Sequence, residues 1–393
     1  LATEIQTLFK NYGRGIATCR DDWAYDFDKI RLTDKIQRLI NTYNSELDRW
    51  KRRGSDPISI DDFVTYDDKR IKWSEGLKTT LQRGLALQFE ESKIRRALYR
   101  PFSKAWIYFD RTVVERTYQM PQIFPAPASE QENVIIGVTG VGADHQTFLA
   151  ARHIVDVKFG INGNSAIQCF PYYTYAEDGS NRRENITDWA LKQFQAKYGE
   201  SVNKWDIFHY IYAMLHHPQY RERYAENLKR DLPHIPLLQR IEAYQAAVRI
   251  GQALMDLHVN YEQQEPYLLT PQEDPSVPFG ELYIVEKMKF TPDRTAVIVN
   301  KGLTLAGIPD ACFRYRLGNR SALEWVIDQY QVSKDARSGI TSDPNRLDDP
   351  EYIVRLVKQV VTVSVKTVAL VDELAQAVTM EDWMEEIVAG KEE

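Results

Sequence analysis

Arginine and lysine recur beside asparagine, serine and threonine on segments that contain turn-forming residues. Three such clusters stand out: Arg14, Thr18 and Arg20; Lys51, Arg52 and Arg53; and Arg314, Arg316, Asn319, Arg320 and Ser321. Arginine pairs bidentately with guanine and asparagine with adenine, whereas lysine, serine and backbone amides hold phosphates. A single basic residue on a turn is usually just solvated. The clusters are therefore candidates for contacts to a nucleic acid, with residues 51–53 as candidates for phosphate contacts.

Patterns for catalysis or metal binding are not convincing in this sequence. The three cysteines lie far apart, and the histidines show neither H-x-x-x-H nor H-E-x-x-H spacing. Gly137, Gly140 and Gly142 follow an apolar run, but no acidic residue ends a second strand, so a turn between strands is the better interpretation. We therefore expect no catalytic residue, no metal site and no cofactor in this chain.

A further motif, residues 343–346 (DPNR), superficially matches the loop with which amino-methyltransferases stack a flipped base. That loop needs a second proline and an aromatic ring, and Asn345 and Arg346 stand in their place. The segment is instead predicted to form an Asx turn.

The elements that must position these residues change character along the chain. Alternating apolar residues predict a strand pair over residues 9–27, and helical spacing predicts a helix over 32–50 with Thr33 as its cap. A short buried strand is predicted over 133–139. Further helices are predicted over residues 189–198, 205–214, 218–229, 236–260, 321–330 and 349–374. Thr187 or Asp188 should cap the first of these, and Ser321 with Glu324 should form a capping box. The fold class predicted is α+β, with mixed sheets and a large helical block.

Changes in composition and charge along the chain predict how it divides into parts. We predict an α/β part at residues 1–180, a helical part at 181–262, a linker or surface loop at 263–280, an α+β part at 281–375 and an acidic tail at 376–393. The net charge of −6 includes −7 from residues 371–393, whereas residues 1–100 carry +4, so it does not argue against a local DNA-binding face. No apolar stretch is long enough for a membrane span and no signal peptide is evident. A cytoplasmic protein is expected, and the initial Leu1 suggests a piece of a longer polypeptide.

Several stretches, in order along nearly the whole chain, are familiar. They are residues 15–23 (GIATCRDDW), 71–74 (IKWS), 98–102 (LYRPF), 206–212 (DIFHYIY), 217–228 (HPQYRERYAENL), 232–236 (LPHIP), 318–325 (GNRSALEW), 338–340 (SGI), 342–345 (SDPN) and 363–365 (VSV). With these stretches the chain resembles the C-terminal specificity, or target-recognition, region of the Type ISP restriction-modification enzymes. Those enzymes join a nuclease, a translocase and an adenine-N6 methyltransferase in one polypeptide.

The resemblance implies a role in DNA recognition, with residues 1–180 as the DNA-recognition part of a target-recognition domain and the three basic clusters as its contacts to duplex DNA. Such a region grips an asymmetric duplex site, presents its adenine to the upstream methyltransferase and licenses translocation and cleavage. S-adenosylmethionine, ATP and magnesium would belong to the upstream modules, and this chain would not be an enzyme by itself. Two alternatives stay open. The chain could be a coupling module that positions the methyltransferase and translocase without reading bases, or a free-standing enzyme of unknown chemistry.

Overall fold

A computed structural model describes residues 6–54, 57–160 and 165–383 of the chain. Its sheets are small, and three of them have four strands each. The strands of the first sheet are, in spatial order, Gly13–Arg14, Ile167–Pro171, Ile135–Thr139 and Phe148–Ala151. Those of the second sheet are Tyr25–Asp26, Ser103–Tyr108, Ile94–Arg100 and Ile154–Val155. Those of the third sheet are Thr270–Glu273, Leu303–Ala306, Ala296–Ile298 and Lys289–Phe290. All neighbouring strands are antiparallel except Ile154–Val155, which runs parallel to Ile94–Arg100. Three two-stranded hairpins complete the described strands: Tyr173–Thr174 with Arg183–Glu184, Arg316–Leu317 with Arg320–Ser321, and Ser333–Lys334 with Thr341–Ser342.

Helices surround these sheets and form a block of their own. The longer ones are Lys29–Arg52, Glu75–Gln82, Asp188–Tyr198, Lys204–His216, Ile241–Val259, Ala322–Gln329 and Tyr352–Ala377. The shorter ones are Asp21–Ala24, Ile60–Phe63, Met120–Ile123, Ser129–Glu132, Pro218–Arg223, Ala225–Arg230, Phe279–Leu282 and Ala311–Arg314. This mixture confirms the predicted α+β class. Within the described ranges, no helix is both long and apolar enough to cross a bilayer.

The long helices form where local signals are strong. Thr187 caps Asp188–Tyr198 as predicted, because its hydroxyl accepts a hydrogen bond from the backbone of Ala190. The capping box of Ser321 and Glu324 is also present. The cap predicted at Thr33 is wrong. The helix begins one turn earlier at Lys29, where the Asp28 carboxylate accepts from the backbone N–H of Arg31 and satisfies it.

The predicted strand pair over residues 9–27 is not formed. Gly13–Arg14 pairs with Ile167–Pro171, and Tyr25–Asp26 pairs with Ser103–Tyr108, so the two short strands join different sheets. Alternation indicated that strands form in this region but not which partners they pair with. The glycine-rich stretch after Ile135–Thr139 is a turn into the antiparallel strand Phe148–Ala151, as predicted.

The later part of the chain contains more structure than its composition suggested. Thr270–Glu273, within the predicted linker or surface loop, pairs with Leu303–Ala306 along its whole length. The last helix extends to Ala377, and Asp382 just beyond it is buried against Arg240. Residues 384–393 of the predicted acidic tail lie outside the described part of the chain.

One helix, Tyr352–Ala377, joins the two largest cores. Its first four turns pack into the core shared with the sheets, whereas Leu374 near its end packs into the core of the helical block. In that block, Lys204–His216 crosses Ile241–Val259 at backbone contact. A Cβ placed on Gly251 would lie 2.0 Å from the carbonyl oxygen of His209. A third core lies beneath the N-terminal helix Lys29–Arg52 and includes Trp23.

Candidate nucleic-acid interface

The turn over residues 13–20 is fixed by backbone contacts on several sides. Gly13 and Arg14 pair with Cys169 and Gln168, and the backbone N–H of Ile16 donates to the carbonyl of Val155 at 2.9 Å. Gly15 sits against the chain where a side chain could not fit, because a Cβ there would lie 2.5 Å from the carbonyl oxygen of Asp156. The turn is therefore held in one conformation before any ligand binds.

A second segment lies against this turn and adds two side chains to its surface. Ala17 and Arg116 exchange two backbone hydrogen bonds, each 2.9 Å long. The Arg14 guanidinium lies 5.9 Å from the centre of the Tyr118 ring, which is 42% exposed. Arg14 and Arg116 are both exposed, and neither forms an ion pair with a described residue. We call the exposed face formed by Arg14, Ala17, Arg116 and Tyr118 the Arg14–Arg116 surface.

The backbone beside this surface is strained in both segments. Cys19 has a φ of 56° and Tyr118 a φ of 44°, in the left-handed region that side chains other than glycine rarely adopt. Each such residue costs roughly 1 kcal/mol or more and persists only where the surrounding contacts impose it. Strained residues of this kind concentrate at ligand sites, and Phe102, Asn181 and Arg294 show the same φ range elsewhere in the described chain.

Two of the residues predicted to touch DNA here are inside the protein. Thr18 is 1% exposed, and its hydroxyl bonds the carboxylate of Asp21. Arg20 is fully buried, and its guanidinium donates to the Ser74 hydroxyl and to the carbonyl of Thr112. Burial lowers the pKa of Arg20 to about 10. These contacts stabilise the turn, and burial keeps the side chains of Thr18 and Arg20 from the surface that DNA could reach.

A buried ion pair supports the same turn from behind. The Arg100 guanidinium donates to the Asp156 carboxylate at 2.8 Å, and the Tyr25 hydroxyl reaches its other oxygen at 3.4 Å. Burial raises the pKa of Asp156 to about 6 even though Arg100 opposes that shift. Because Asp156 is only 2% exposed, the cluster fixes the backbone that Gly15 contacts and offers no open site.

Lys51, Arg52 and Arg53 lie at the end of the helix Lys29–Arg52 and are all exposed. Arg52 and Arg53 donate to carbonyls of their own helix, and Arg53 stacks 3.2 Å from the centre of the Trp50 ring. Lys51 lies close to Gly84, and the adjacent Arg83 is exposed as well. Their contact with phosphates stays a prediction, to which Arg83 adds a fourth cation.

The arginines of the cluster over residues 314–321 form ion pairs and hydrogen bonds within the protein. Arg314 forms an ion pair with Asp372 at 2.6 Å, and Arg320 forms one with Asp328 at 2.6 Å while lying over the Trp325 ring. Arg316 donates to the carbonyl of Asn319 across the turn of the hairpin. Ser321 is buried as the cap of its helix. Each arginine thus has an internal partner, which makes this cluster a weaker DNA candidate than its density suggested.

The sequence did not predict that Arg116 and Tyr118 lie beside Arg14, because about a hundred residues separate them from it. Residues 111–119 combine two arginines with a tyrosine, the same mixture that singled out the other clusters, and this signal was available in the sequence. Among the residues that the structure describes, no three histidine, cysteine or acidic side chains converge as a metal site would require.

Comparison with known proteins gives consistent matches. The profile of the Type ISP C-terminal specificity domain matches residues 7–356. No curated protein matches the chain. A nuclease-deletion mutant of the Type ISP restriction-modification enzyme LlaGI, in complex with a DNA substrate mimic, is 36% identical with a TM-score of 0.82 over 95% of this chain. The DrdV–DNA complex is 33% identical with a TM-score of 0.79 over 93% of this chain, and the ATP-dependent Type ISP enzyme LlaBIII bound to DNA is 29% identical with a TM-score of 0.80 over 95%. The chain spans only 33%, 36% and 24% of those three chains, respectively.

Proposed function

This chain belongs to the family of Type ISP C-terminal specificity domains, and on that premise we propose that it recognises a specific duplex-DNA sequence for a Type ISP restriction-modification enzyme. The observation that carries the proposal is the Arg14–Arg116 surface. Two exposed arginines that form no ion pair with a described residue stand there on backbone that is already fixed, and the solved structures similar to this chain are DNA complexes.

The chemistry of this surface suits a nucleic-acid backbone. An arginine that neutralises a phosphate releases condensed counterions, and that release drives binding. Arg14 and Arg116 each present a planar guanidinium that can hold phosphate oxygens bidentately. The exposed Tyr118 ring offers an apolar face that can pack on a sugar or an unstacked base. Because the turn is rigid, little conformational entropy is lost when it docks.

The remaining parts of the proposal concern the larger polypeptide. The chain would present the target adenine to an upstream N6-adenine methyltransferase and would license translocation and cleavage by further modules. S-adenosylmethionine, ATP and magnesium would bind those modules, and this chain would contribute recognition without catalysis. Its place would be the cytoplasm, where it meets the DNA it recognises.

The test is binding of the 393-residue chain to DNA. A randomised duplex pool is enriched on the chain, and affinity for the enriched sequence and for random duplex is followed as salt is raised. We expect an enriched motif and a log–log salt slope of about −2 or steeper, since each neutralised phosphate contributes about −0.9. Binding that is absent, or that does not respond to salt, would refute the proposal and favour the coupling module.

A further inference from the structure

The hairpin Ser333–Lys334 with Thr341–Ser342 stands beside the N-terminal helix Lys29–Arg52 across an open cleft of about 660 Å³. The helix lines one wall with Gln37, Arg38 and Asn41, and the tip of the hairpin lines the other. These three exposed residues lie on one side of the helix, since Gln37 is four residues and Arg38 three residues before Asn41. The side chains of Gln37 and Asn41 form no hydrogen bond with a described residue.

Hydrogen bonds within its loop and contacts to the helix hold the hairpin in place. The Asp335 carboxylate accepts hydrogen bonds from the backbone N–H groups of Arg337 at 3.0 Å and Ser338 at 2.6 Å, and from the Ser338 hydroxyl at 2.8 Å. Ile340 packs against the core beneath the helix. Arg31 of the helix donates to the carbonyl of Asp343, just past the hairpin. The cleft therefore has two fixed walls.

The charge of the cleft is mixed but leaves cations available. Asp26 at its base is buried and neutralised by Lys35 at 2.8 Å and by Arg31 at 3.1 Å. Asp34 is exposed on the helix. Arg38 beside it, with Lys334 and Arg337 of the hairpin, is exposed and forms no ion pair with a described residue.

These side chains match what base edges in a major groove require. Glutamine and asparagine pair bidentately with adenine, arginine with guanine, and an aspartate accepts from cytosine N4. A major groove admits an α-helix or a two-stranded ribbon, so either wall of the cleft has a shape that can enter one. The Arg38 guanidinium also lies 5.7 Å from the centre of the buried Trp23 ring, so the base of this side chain is held against the core beneath the helix.

We propose that this cleft is the base-reading element of the domain: Gln37, Arg38 and Asn41 contact base edges, while Lys334 and Arg337 hold adjoining phosphates. This inference rests on the proposed DNA-recognition function, and it assigns specificity to a helix face that no sequence cluster singled out.

The experiment measures sequence preference separately from affinity. The 393-residue wild type selects its motif from a randomised duplex pool, and every single-base variant of that motif is then titrated. The same titration is repeated with Gln37→Ala, Asn41→Ala and Arg337→Ala. Gln252→Ala, an exposed glutamine on the helix Ile241–Val259, is the matched control. Thermal unfolding verifies that each variant folds, as their exposed positions lead us to expect.

We expect Gln37→Ala and Asn41→Ala each to lower discrimination at one or two base positions by about 5- to 150-fold, with affinity for random duplex unchanged. Arg337→Ala should weaken binding to motif and random duplex alike and reduce the salt slope by about 0.9. Gln252→Ala should leave both readouts at the wild-type value. If Gln37→Ala and Asn41→Ala retain full discrimination while the wild type selects a motif, the cleft does not read bases and the proposed function stands. If the wild type selects no motif, both proposals fall.

Discussion

Two pairs of arginines, all exposed or half-exposed, should differ sharply in what they contribute to DNA binding. Arg14 and Arg116 have no ion-pair partner among the described residues, whereas Arg314 and Arg320 each have a carboxylate at 2.6 Å. We compare two double variants. The first combines Arg14→Ala and Arg116→Ala, and the second combines Arg314→Ala and Arg320→Ala. Both remove two positive charges, so a general effect of net charge would act equally on them.

The magnitude follows from counterion release. If Arg14 and Arg116 each neutralise one phosphate, the log–log salt slope should become less steep by about 1.8. At physiological salt this corresponds to about 1 kcal/mol per contact, or an affinity loss of about 30-fold for the pair. Arg314 and Arg320 already hold carboxylates, so the second double variant should bind within about twofold of the wild type with an unchanged slope.

Fluorescence anisotropy with a labelled duplex, titrated between about 50 and 200 mM salt, measures both quantities. Because all four positions are exposed or half-exposed, we expect both double variants to fold, and circular dichroism verifies this. If both double variants lose affinity equally, only net charge matters and the Arg14–Arg116 surface is not a contact site. If the loss is confined to Arg314 and Arg320, the hairpin cluster contacts DNA in spite of its internal ion pairs.

Three further results are expected. Arg20→Ala should lower the free energy of unfolding by about 2–4 kcal/mol, because it leaves a cavity at a fully buried position and removes the hydrogen-bond partner of the Thr112 carbonyl. An unchanged urea midpoint together with lost DNA binding would instead make Arg20 a ligand contact. Gly251→Ala should cost about 1–3 kcal/mol or more because the new Cβ would lie 2.0 Å from the His209 carbonyl oxygen, and a thermal melt equal to wild type would contradict that packing. Burial lowers the pKa of His216 to about 4, so the unfolded chain takes up this proton near pH 6.5 while the folded chain does not. Stability should therefore fall as pH drops below about 6.5, by about 2 kcal/mol at pH 5 from this residue, and His216→Leu should remove that share of the pH dependence in urea titrations.

The helices and their caps were predictable because their signals are local. The hydroxyl of Thr187 and the box of Ser321 with Glu324 lie within four residues of the N–H groups they satisfy, so the sequence alone specifies them. The resemblance over nearly the whole chain was likewise visible in the order of its motifs, and the matching family confirms it.

Strand partners could not be predicted in the same way. Gly13–Arg14 and Tyr25–Asp26 lie close in sequence but pair with strands about 80 to 155 residues away. Period-two alternation shows that a strand has a buried face, but a partner so distant is chosen by the packing of the whole sheet.

Which charged side chains remain available was also decided by tertiary structure. Arg14 and Arg20 are six residues apart in one turn, yet the first is exposed and the second is fully buried against Ser74. Arg320 is paired with Asp328, whereas Arg116, a hundred residues from Arg14, was brought beside it. The sequence by itself determined that the chain carries the residue types that bind DNA. The fold decided which of them face solvent without a partner, because burial and ion pairing depend on neighbours that are distant along the chain.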